Sequence, residues 1–167
     1  MDKKPNILII GGKSPFGQIF HNLFKKNKFS VKSIGRAEKG KQKKLVAEAD
    51  IVIVSVPIEK TEKVIKEVLP FVRKDALLAD FTSLKVFPTK LMSKSKGGVL
   101  GIHPLFGPLV KNLKGQKIIL CPIKKNKYFT VLEKIFKKEG LSVIKMTPPE
   151  HDRRMAYNQA LAHLTNI

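Results

Sequence analysis

The opening of the chain, residues 6–20, reads NILIIGGKSPFGQIF and decides which fold the rest can form. The run Asn6–Ile10 is apolar and typical of a buried strand, whereas Phe16–Asn27 places its apolar side chains on one helical face. Between them lies a loop with the pattern G-x-G-x-x-G, in which Ser14 replaces the middle glycine. A strand, a glycine loop and a helix in this order are typical of the first unit of a dinucleotide-binding fold.

The loop predicts a dinucleotide site, with a plain tight turn as the alternative. We expect Gly12 to serve the tight turn and Gly17 to allow close packing of the helix on the strand. The helix N-terminus, at Ser14, Pro15 and Phe16, supplies free N–H groups that suit a pyrophosphate. These five residues begin the predicted cofactor-binding set.

Beyond this unit, short apolar runs alternate with helical patterns. Predicted strands follow at Ser30–Ile34, Asp50–Val56, Ala76–Asp80, Gly98–Ile102, Lys117–Cys121 and Leu141–Met146. Helical patterns include Lys85–Ser95 and Asn126–Glu139, and a final helix begins at Pro148 behind a Thr147 cap. The alternation predicts an α/β fold, with a Rossmann-like, doubly wound, mostly parallel sheet that carries helices on both faces.

The charge of the chain is unusual. Its 167 residues include 33 Lys+Arg against 13 Asp+Glu, a formal net charge of +20, which invites a nucleic-acid hypothesis. However, only four of these cations are arginine, the residue that base readers favour, and the lysines are scattered over the polar surfaces. We therefore expect no nucleic-acid partner, although the positive field suits anionic ligands.

The remaining composition predicts a folded cytoplasmic protein. The apolar share of 43% is too high for a disordered chain, and no apolar run approaches the ~18 residues of a membrane span. No signal segment is expected ahead of the first strand, and no membrane partner. The single Cys121 excludes an internal disulfide and a cysteine-built zinc site, so we expect no metal.

Ligands of an open α/β sheet bind beyond the carboxyl ends of its parallel strands. Ser55, Val56 and Pro57 follow the third predicted strand and join the cofactor-binding set. Ser83 follows the fourth strand and His103 the fifth. A histidine at this edge suits a general base or a hydrogen-bond partner near a nicotinamide, but it could also merely cap a rigid loop.

Other polar residues have plainer alternatives. Ser83 could bind substrate or cofactor, or Thr82 and Ser83 could cap the helix that starts near Lys85. Asp80, at a buried strand end, is expected to be a structural hydrogen-bond acceptor. His21 lies among charged residues and is expected at the surface.

The final helix places His151, Met155, Gln159 and His163 on one stripe, because they are four residues apart. A metal shared by His151 and His163 is excluded, since a helix separates residues twelve positions apart by about 18 Å. His103 and His151 could meet only through the fold.

Five segments form an ordered set that covers essentially the whole chain: Gly11–Gly17, Ala49–Ile58, Asp80–Lys85, Gly101–Pro108 and Glu150–Leu161. Together they resemble the prephenate/arogenate dehydrogenases of tyrosine biosynthesis. The His-Pro-x-Phe-Gly-Pro and His-Asp-x-x-Met-Ala segments carry the specificity of this resemblance, whereas the glycine loop alone does not.

The resemblance implies an NAD- or NADP-dependent oxidative decarboxylation of prephenate to 4-hydroxyphenylpyruvate, with prephenate or arogenate as substrate. It implies that His103 contacts the ring hydroxyl as general base and that Ser83 lies beside the hydroxyl and the nicotinamide. His151 is expected at the edge of the substrate pocket, with Gln159 on the same stripe as a second substrate-binding residue.

The resemblance also implies two domains. Residues 1–147 would be the dinucleotide-binding domain, and residues 148–167 would begin a helical domain that forms a dimer and supplies an arginine for the substrate carboxylate. The last helix carries Met155, Leu161 and Leu164, so we expect a possible homodimer through it.

The choice between NAD and NADP depends on the residues near the end of the second strand, about 20 residues beyond the loop. Arg36 stands there, ahead of the first acid, Glu38, and could pair with a 2′-phosphate, so we predict NADP over NAD. An ordinary surface arginine is the alternative. Two other functions stay open: a different Rossmann dehydrogenase or reductase for a small acid or imine, and a non-catalytic module that binds an anion or nucleic acid.

Overall fold

The structure, a computed structural model, describes the backbone of residues 4–165 and the side chains of residues 4–157. Its strands are β1 (Asn6–Ile10), β2 (Ser30–Ile34), β3 (Ile51–Val54), β4 (Leu77–Asp80), β5 (Gly98–Pro104), β6 (Lys117–Lys124) and β7 (Ser142–Lys145). Its α-helices are α1 (Pro15–Lys26), α2 (Gln42–Glu48), α3 (Ile58–Val68), α4 (Val86–Met92), α5 (Lys127–Lys138) and α6 (Pro148–Thr165). Short 3-10 turns at Arg36–Lys41 and Leu69–Phe71 adjoin α2 and α3.

The strands form one sheet in the order β2-β1-β3-β4-β5-β6-β7. Every neighbouring pair is parallel except β5 and β6. Because β2 and β3 lie on opposite sides of β1, the chain changes winding direction there and leaves a crevice beyond the carboxyl ends of β1 and β3. This confirms the predicted doubly wound, mostly parallel fold.

Both faces of the sheet are buried, which explains why its central strands are apolar without interruption. Ile7 and Ile9 of β1 belong to one apolar cluster, with α1 and α5, whereas Leu8 and Ile10 belong to a second, with α2, α3 and α4. The alternation follows from the two-residue period of a strand. The carboxyl ends of β1, β3, β4 and β5 therefore meet at one fixed edge.

The predicted elements are present, with shifts at their ends. β3 is shorter than the predicted strand because Asp50, Ser55 and Val56 lie outside it. β5 and β6 are longer, and they pair with each other as antiparallel neighbours. Within the described part of the chain, no helix combines the length and apolarity that a membrane span needs.

Candidate active site

The glycine loop between β1 and α1 makes a turn that only glycine allows. Gly11 has a φ of 82°, and a Cβ atom there would lie 2.0 Å from the carbonyl oxygen of Ser55. The Gly11 N–H donates to the Ile34 carbonyl at 2.8 Å, and its own carbonyl accepts from Ser14 N–H at 3.1 Å. Gly12, which was predicted to serve the tight turn, lies in the same turn, whereas the positive φ belongs to Gly11.

Gly12 and Gly17 are needed for space rather than for an unusual φ. A Cβ on Gly12 would lie 2.5 Å from Ser33 Oγ, and one on Gly17 would lie 2.6 Å from the Cα of Gly12. The missing side chains let α1 pack directly on the loop. The close packing expected of Gly17 is present.

Ser14 has a structural role at the start of α1. It is the N-cap residue, and its Oγ accepts from Gly17 N–H at 3.1 Å. Pro15 occupies the first turn, where a missing N–H costs nothing. The Phe16 ring packs on the aromatic core, with its centroid 6.0 Å from that of Phe81.

An open cleft of about 630 Å³ lies beyond the carboxyl ends of β1, β2 and β3. Its lining includes the predicted cofactor residues Ser14, Arg36, Ser55, Val56 and Pro57, together with Gly11, Lys13, Gly35, Lys39, Lys60 and Lys63. The predicted residues Gly12, Pro15, Phe16 and Gly17 are not part of this lining. A glycine turn, a helix N-terminus and several cations around one cleft suit a dinucleotide and its phosphates.

Lys13, which lines this cleft, forms an ion pair with Glu38 that the sequence did not reveal. The ammonium of Lys13 contacts Glu38 Oε1, and Glu38 Oε2 accepts from Gly35 N–H at 2.9 Å. The bond from Lys13, with that from Gly35, holds the pKa of Glu38 below its ordinary value. The first acid after β2 is therefore already bonded to protein groups.

The second part of the site is a chain of three side chains, His103, His151 and Asp152. Nδ1 of His103 lies 2.8 Å from Nε2 of His151, and Nδ1 of His151 lies 2.7 Å from Oδ1 of Asp152. A carboxylate only accepts, so His151 donates from Nδ1, and its other nitrogen, Nε2, takes the acceptor role toward His103. His103 then carries its proton on Nδ1, which leaves its Nε2 as an acceptor.

The surroundings keep His103 neutral. Burial is the main cause that lowers its pKa from 6.5 to about 4, and the nearby His151 and Lys85 lower it further. His103 is partly exposed, whereas His151 is fully buried. His151 thus lies behind His103 in this structure rather than at an open pocket edge.

Asp152 also caps α4 from a distance. Its two oxygens accept from Lys85 N–H and Val86 N–H at 2.8 and 2.9 Å. Burial opposes ionisation of Asp152, but the bonds from Val86, His151 and Lys85 lower its pKa. The alternative in which Thr82 and Ser83 cap this helix is therefore wrong, because no side chain of its own turn caps α4.

The turn between β4 and α4, which contains Ser83, follows the strand that pairs with β5. The side chain of Ser83 is exposed. Asp80, by contrast, is fully buried, and its Oδ2 accepts from Thr82 N–H at 3.0 Å and from Lys85 Nζ at 2.5 Å. The expected structural role of Asp80 is confirmed.

The remaining predicted polar residues are His21 on α1 and the side chains of the last helix. His21 is half-buried rather than fully at the surface, and its Nδ1 lies 2.7 Å from Ser33 Oγ. The side chains of Gln159, Leu161, His163 and Leu164 lie outside the described residues. Among the side chains that are described, no group of three or more His, Cys, Asp or Glu is arranged to hold a metal ion.

Several known proteins resemble this chain in sequence. Residues 24–145 match the family model for the nucleotide-binding domain of prephenate dehydrogenase. The chain is 43% identical over 181 residues to a probable arogenate/prephenate dehydrogenase of Methanocaldococcus jannaschii, covering 96% of this chain and 41% of that protein. It is 33% identical to the T-protein of Haemophilus influenzae, covering 96% of this chain and 43% of that protein. The chain thus spans less than half the length of these curated relatives.

A solved structure shows the same fold. Prephenate dehydrogenase from A. aeolicus, in complex with hydroxyphenyl propionate and NAD+, superposes with a TM-score of 0.71 at 23% identity. The alignment covers 89% of this chain and 62% of that one. At this identity, the likeness concerns the fold alone.

Proposed function

The chain belongs to the prephenate dehydrogenase family through its nucleotide-binding domain, and from this premise we propose that it is the cofactor-binding part of an enzyme for prephenate or arogenate. The reaction is an NAD(P)-dependent oxidative decarboxylation, which for prephenate gives 4-hydroxyphenylpyruvate. The observation that carries this proposal is the neutral His103, with an acceptor Nε2, at the same sheet edge as the glycine-loop cleft.

The cleft holds the cofactor in this proposal. The turn at Gly11 and the N-terminus of α1 receive the pyrophosphate, while Ser55, Val56 and Pro57 border it after β3. Adjacent strands are about 4.8 Å apart, so His103 on β5 lies roughly 10 Å along the sheet from β3. When bound, the nicotinamide supplies an acceptor for a hydride.

His103 moves the proton. In the proposed reaction, the ring carbon that bears the hydroxyl loses hydride, and Nε2 of His103 takes the hydroxyl proton. The bond to the carboxylate carbon then breaks and releases carbon dioxide, and its electron pair makes the ring aromatic. His103 returns its proton to the phenolic oxygen, so the side chain ends as it began.

Ser83 and His151 support this step. Ser83 lies exposed in the turn after β4, the strand that pairs with β5, where it can bond the substrate hydroxyl. His151, expected to bind substrate, instead acts through His103, since it is buried against it. The proposed contribution of Gln159 concerns a side chain outside the described residues.

We propose NADP over NAD as the cofactor. Arg36 is exposed at the cleft, so its guanidinium is available for a 2′-phosphate, whereas the neighbouring Lys39 pairs with Glu67 at 3.1 Å. Glu38, the acid that could select ribose hydroxyls, is engaged by Lys13 and Gly35. The charge at this end of the cleft is therefore positive.

The domain division and the partner are proposals too. Residues 1–147 form the dinucleotide-binding domain, and residues 148–167 begin a helical domain that pairs two copies. In support, Leu84, Val86 and Phe87 are each more than 40% exposed at the start of α4, which Asp152 ties to α6. Sedimentation velocity should show a dimer that weakens in Val86→Glu, whereas a monomer at every concentration would contradict it.

The experiment titrates the chain with NADPH and with NADH by fluorescence, then measures turnover with prephenate and with arogenate. We expect saturable cofactor binding, tighter for NADPH than for NADH. Binding to duplex DNA at physiological salt serves as the competing measurement. Tight, salt-resistant DNA binding without any cofactor response would contradict the proposed function.

A further inference from the structure

Lys85 is a buried ammonium that the proposed reaction does not use. Its side chain is fully buried, and its Nζ donates to Asp80 Oδ2 at 2.5 Å, to the Ile102 carbonyl at 3.0 Å and to Thr82 Oγ1 at 3.5 Å. Ile102 directly precedes His103. The ammonium therefore contacts the main chain from which the His103 side chain projects.

The backbone explains why Ile102 needs this donor. Gly98 N–H donates to the Ala76 carbonyl, and strand residues alternate with a period of two, so the main-chain groups of Ile102 also face β4. β4 ends at Asp80, however, and the next suitable donor, Thr82 N–H, is bonded to Asp80 Oδ2. The Lys85 ammonium therefore donates the hydrogen bond that a longer β4 would have given to the Ile102 carbonyl.

Lys85 is connected to His103 from the other side as well. Its N–H donates to Asp152, which accepts from His151, and His151 contacts Nδ1 of His103. These contacts form a closed ring that runs from the His103 side chain through His151, Asp152 and Lys85 back to the main chain next to His103. Lys85 takes part in this ring twice, through its main-chain N–H and through its ammonium.

A buried ion pair is a costly way to connect two strands. Burial lowers the pKa of Lys85 against the attraction of Asp80, and apolar replacements of such pairs are often no less stable. Gly101 leaves room for the side chain, since a Cβ there would lie 2.9 Å from Lys85 Cδ. The site is thus shaped around the lysine.

We propose that Lys85 is a positioning residue for His103. The Lys85 ammonium holds the main chain at Ile102, and the Lys85 N–H holds the carboxylate of Asp152, so that His103 keeps its proton on Nδ1. The proposal rests on the proposed role of His103. It assigns Lys85 no contact with substrate or cofactor.

The test compares the parent chain with the double variant Asp80→Asn/Lys85→Met, which removes the ammonium without leaving a lone buried carboxylate. Long-range proton–nitrogen NMR of the imidazoles reports the tautomer and the pKa of His103. We expect the parent to show one tautomer, protonated on Nδ1, and a pKa of about 4. In the double variant, we expect both tautomers and a pKa nearer the ordinary 6.5.

A matched control is Lys124→Met. Lys124 Nζ also donates to two main-chain carbonyls, those of Ser93 and Ser95 at 2.6 and 2.9 Å. Neither carbonyl belongs to the ring of contacts around His103. This variant should leave His103 unchanged. A folded double variant with the parent's tautomer and pKa would overturn the proposal, as would an equal change in Lys124→Met.

Two further measurements cover the other outcomes. If the double variant does not fold, the Nζ protons of Lys85 in the parent should exchange slowly with water and show cross-relaxation with Ile102. Rapid exchange without such contacts would overturn the proposal. Reduced-cofactor fluorescence on the parent distinguishes failure of the proposed function from failure of the Lys85 proposal. Absent cofactor binding counts against the proposed function, whereas an unchanged His103 tautomer in the double variant counts against the role of Lys85 alone.

Discussion

Nδ1 of His103 lies 2.8 Å from Nε2 of His151, although the two residues are 48 positions apart in the chain. This contact joins the end of β5 to the first turn of α6. Because Asp152 fixes the proton on the far side of His151, the contact also fixes the proton of His103. Position and protonation of the proposed base are therefore set by the same contact.

The first prediction concerns stability and pH. The unfolded chain protonates His103 near its ordinary pKa of 6.5, whereas the folded chain does so only near 4. Between these values the unfolded state binds the extra proton, so the free energy of unfolding should fall as the pH drops through this range. Urea unfolding at about pH 7 and about pH 5 should show a smaller fall for His103→Gln than for the parent. Equal falls would contradict the assignment.

The second prediction concerns the distant cap of α4. Asp152→Ala removes the acceptor of Lys85 N–H and Val86 N–H and should cost about 1–2 kcal/mol of unfolding free energy. The matched control is Asp75→Ala, an exposed partner of Arg73 that should cost under about 1 kcal/mol. Urea unfolding of both variants measures the difference, and equal costs would argue against the cap.

The third prediction concerns the glycine turn. Gly11→Ala would place a Cβ at 2.0 Å from the Ser55 carbonyl oxygen and force a positive φ on alanine. We expect at least about 1–2 kcal/mol of destabilisation from the φ alone, with loss of cofactor binding. Gly40→Ala is the control, since a Cβ there meets nothing within 4 Å. If the two variants bind NADPH equally, the loop does not hold the cofactor.

The fourth prediction concerns cofactor choice. Arg36→Ala should weaken NADPH binding by roughly tenfold to a hundredfold, the equivalent of one charge-assisted hydrogen bond, and change NADH binding little. Arg154→Ala is the control, because Arg154 pairs with Glu150 on α6, away from the cleft. Calorimetry of both variants with both cofactors decides it. Equal or tighter NADH binding by the parent would contradict the preference for NADP.

The fifth prediction concerns the buried pair. Lys85→Met alone leaves Asp80 charged and fully buried, and should cost about 3–5 kcal/mol of unfolding free energy. Adding Asp80→Asn should recover much of this loss, so the two changes are not additive. A double-mutant cycle by urea unfolding measures the coupling. Additive costs would show that the two groups do not depend on each other.

The sequence by itself determined the elements and their common edge. Apolar periodicity is a local property, so β1 and β2 were predicted with the same bounds that the structure has. The parallel arrangement then follows from the alternation of strands and helices, which places Ser55 and Ser83 beyond strand ends on one side of the sheet. His103 was expected beyond its strand as well, but it lies within β5, next to the last residue. The strand ends were less certain because pairing partners, not propensity, decide where a ladder stops.

Tertiary structure alone decided which polar groups meet. Asp152 reaches the N-terminus of α4 across 67 residues, and no local pattern records such a contact. Gly11 has the positive φ of the loop, and the Ser55 carbonyl after the neighbouring β3 leaves no room there for a Cβ. Lys85 looked like an ordinary helix start, yet it is buried because β4 ends one step before the carbonyl of Ile102 finds a partner. Hydrogen-bond satisfaction in a packed interior is a property of the whole fold, so these contacts were settled only when the strands and helices came together.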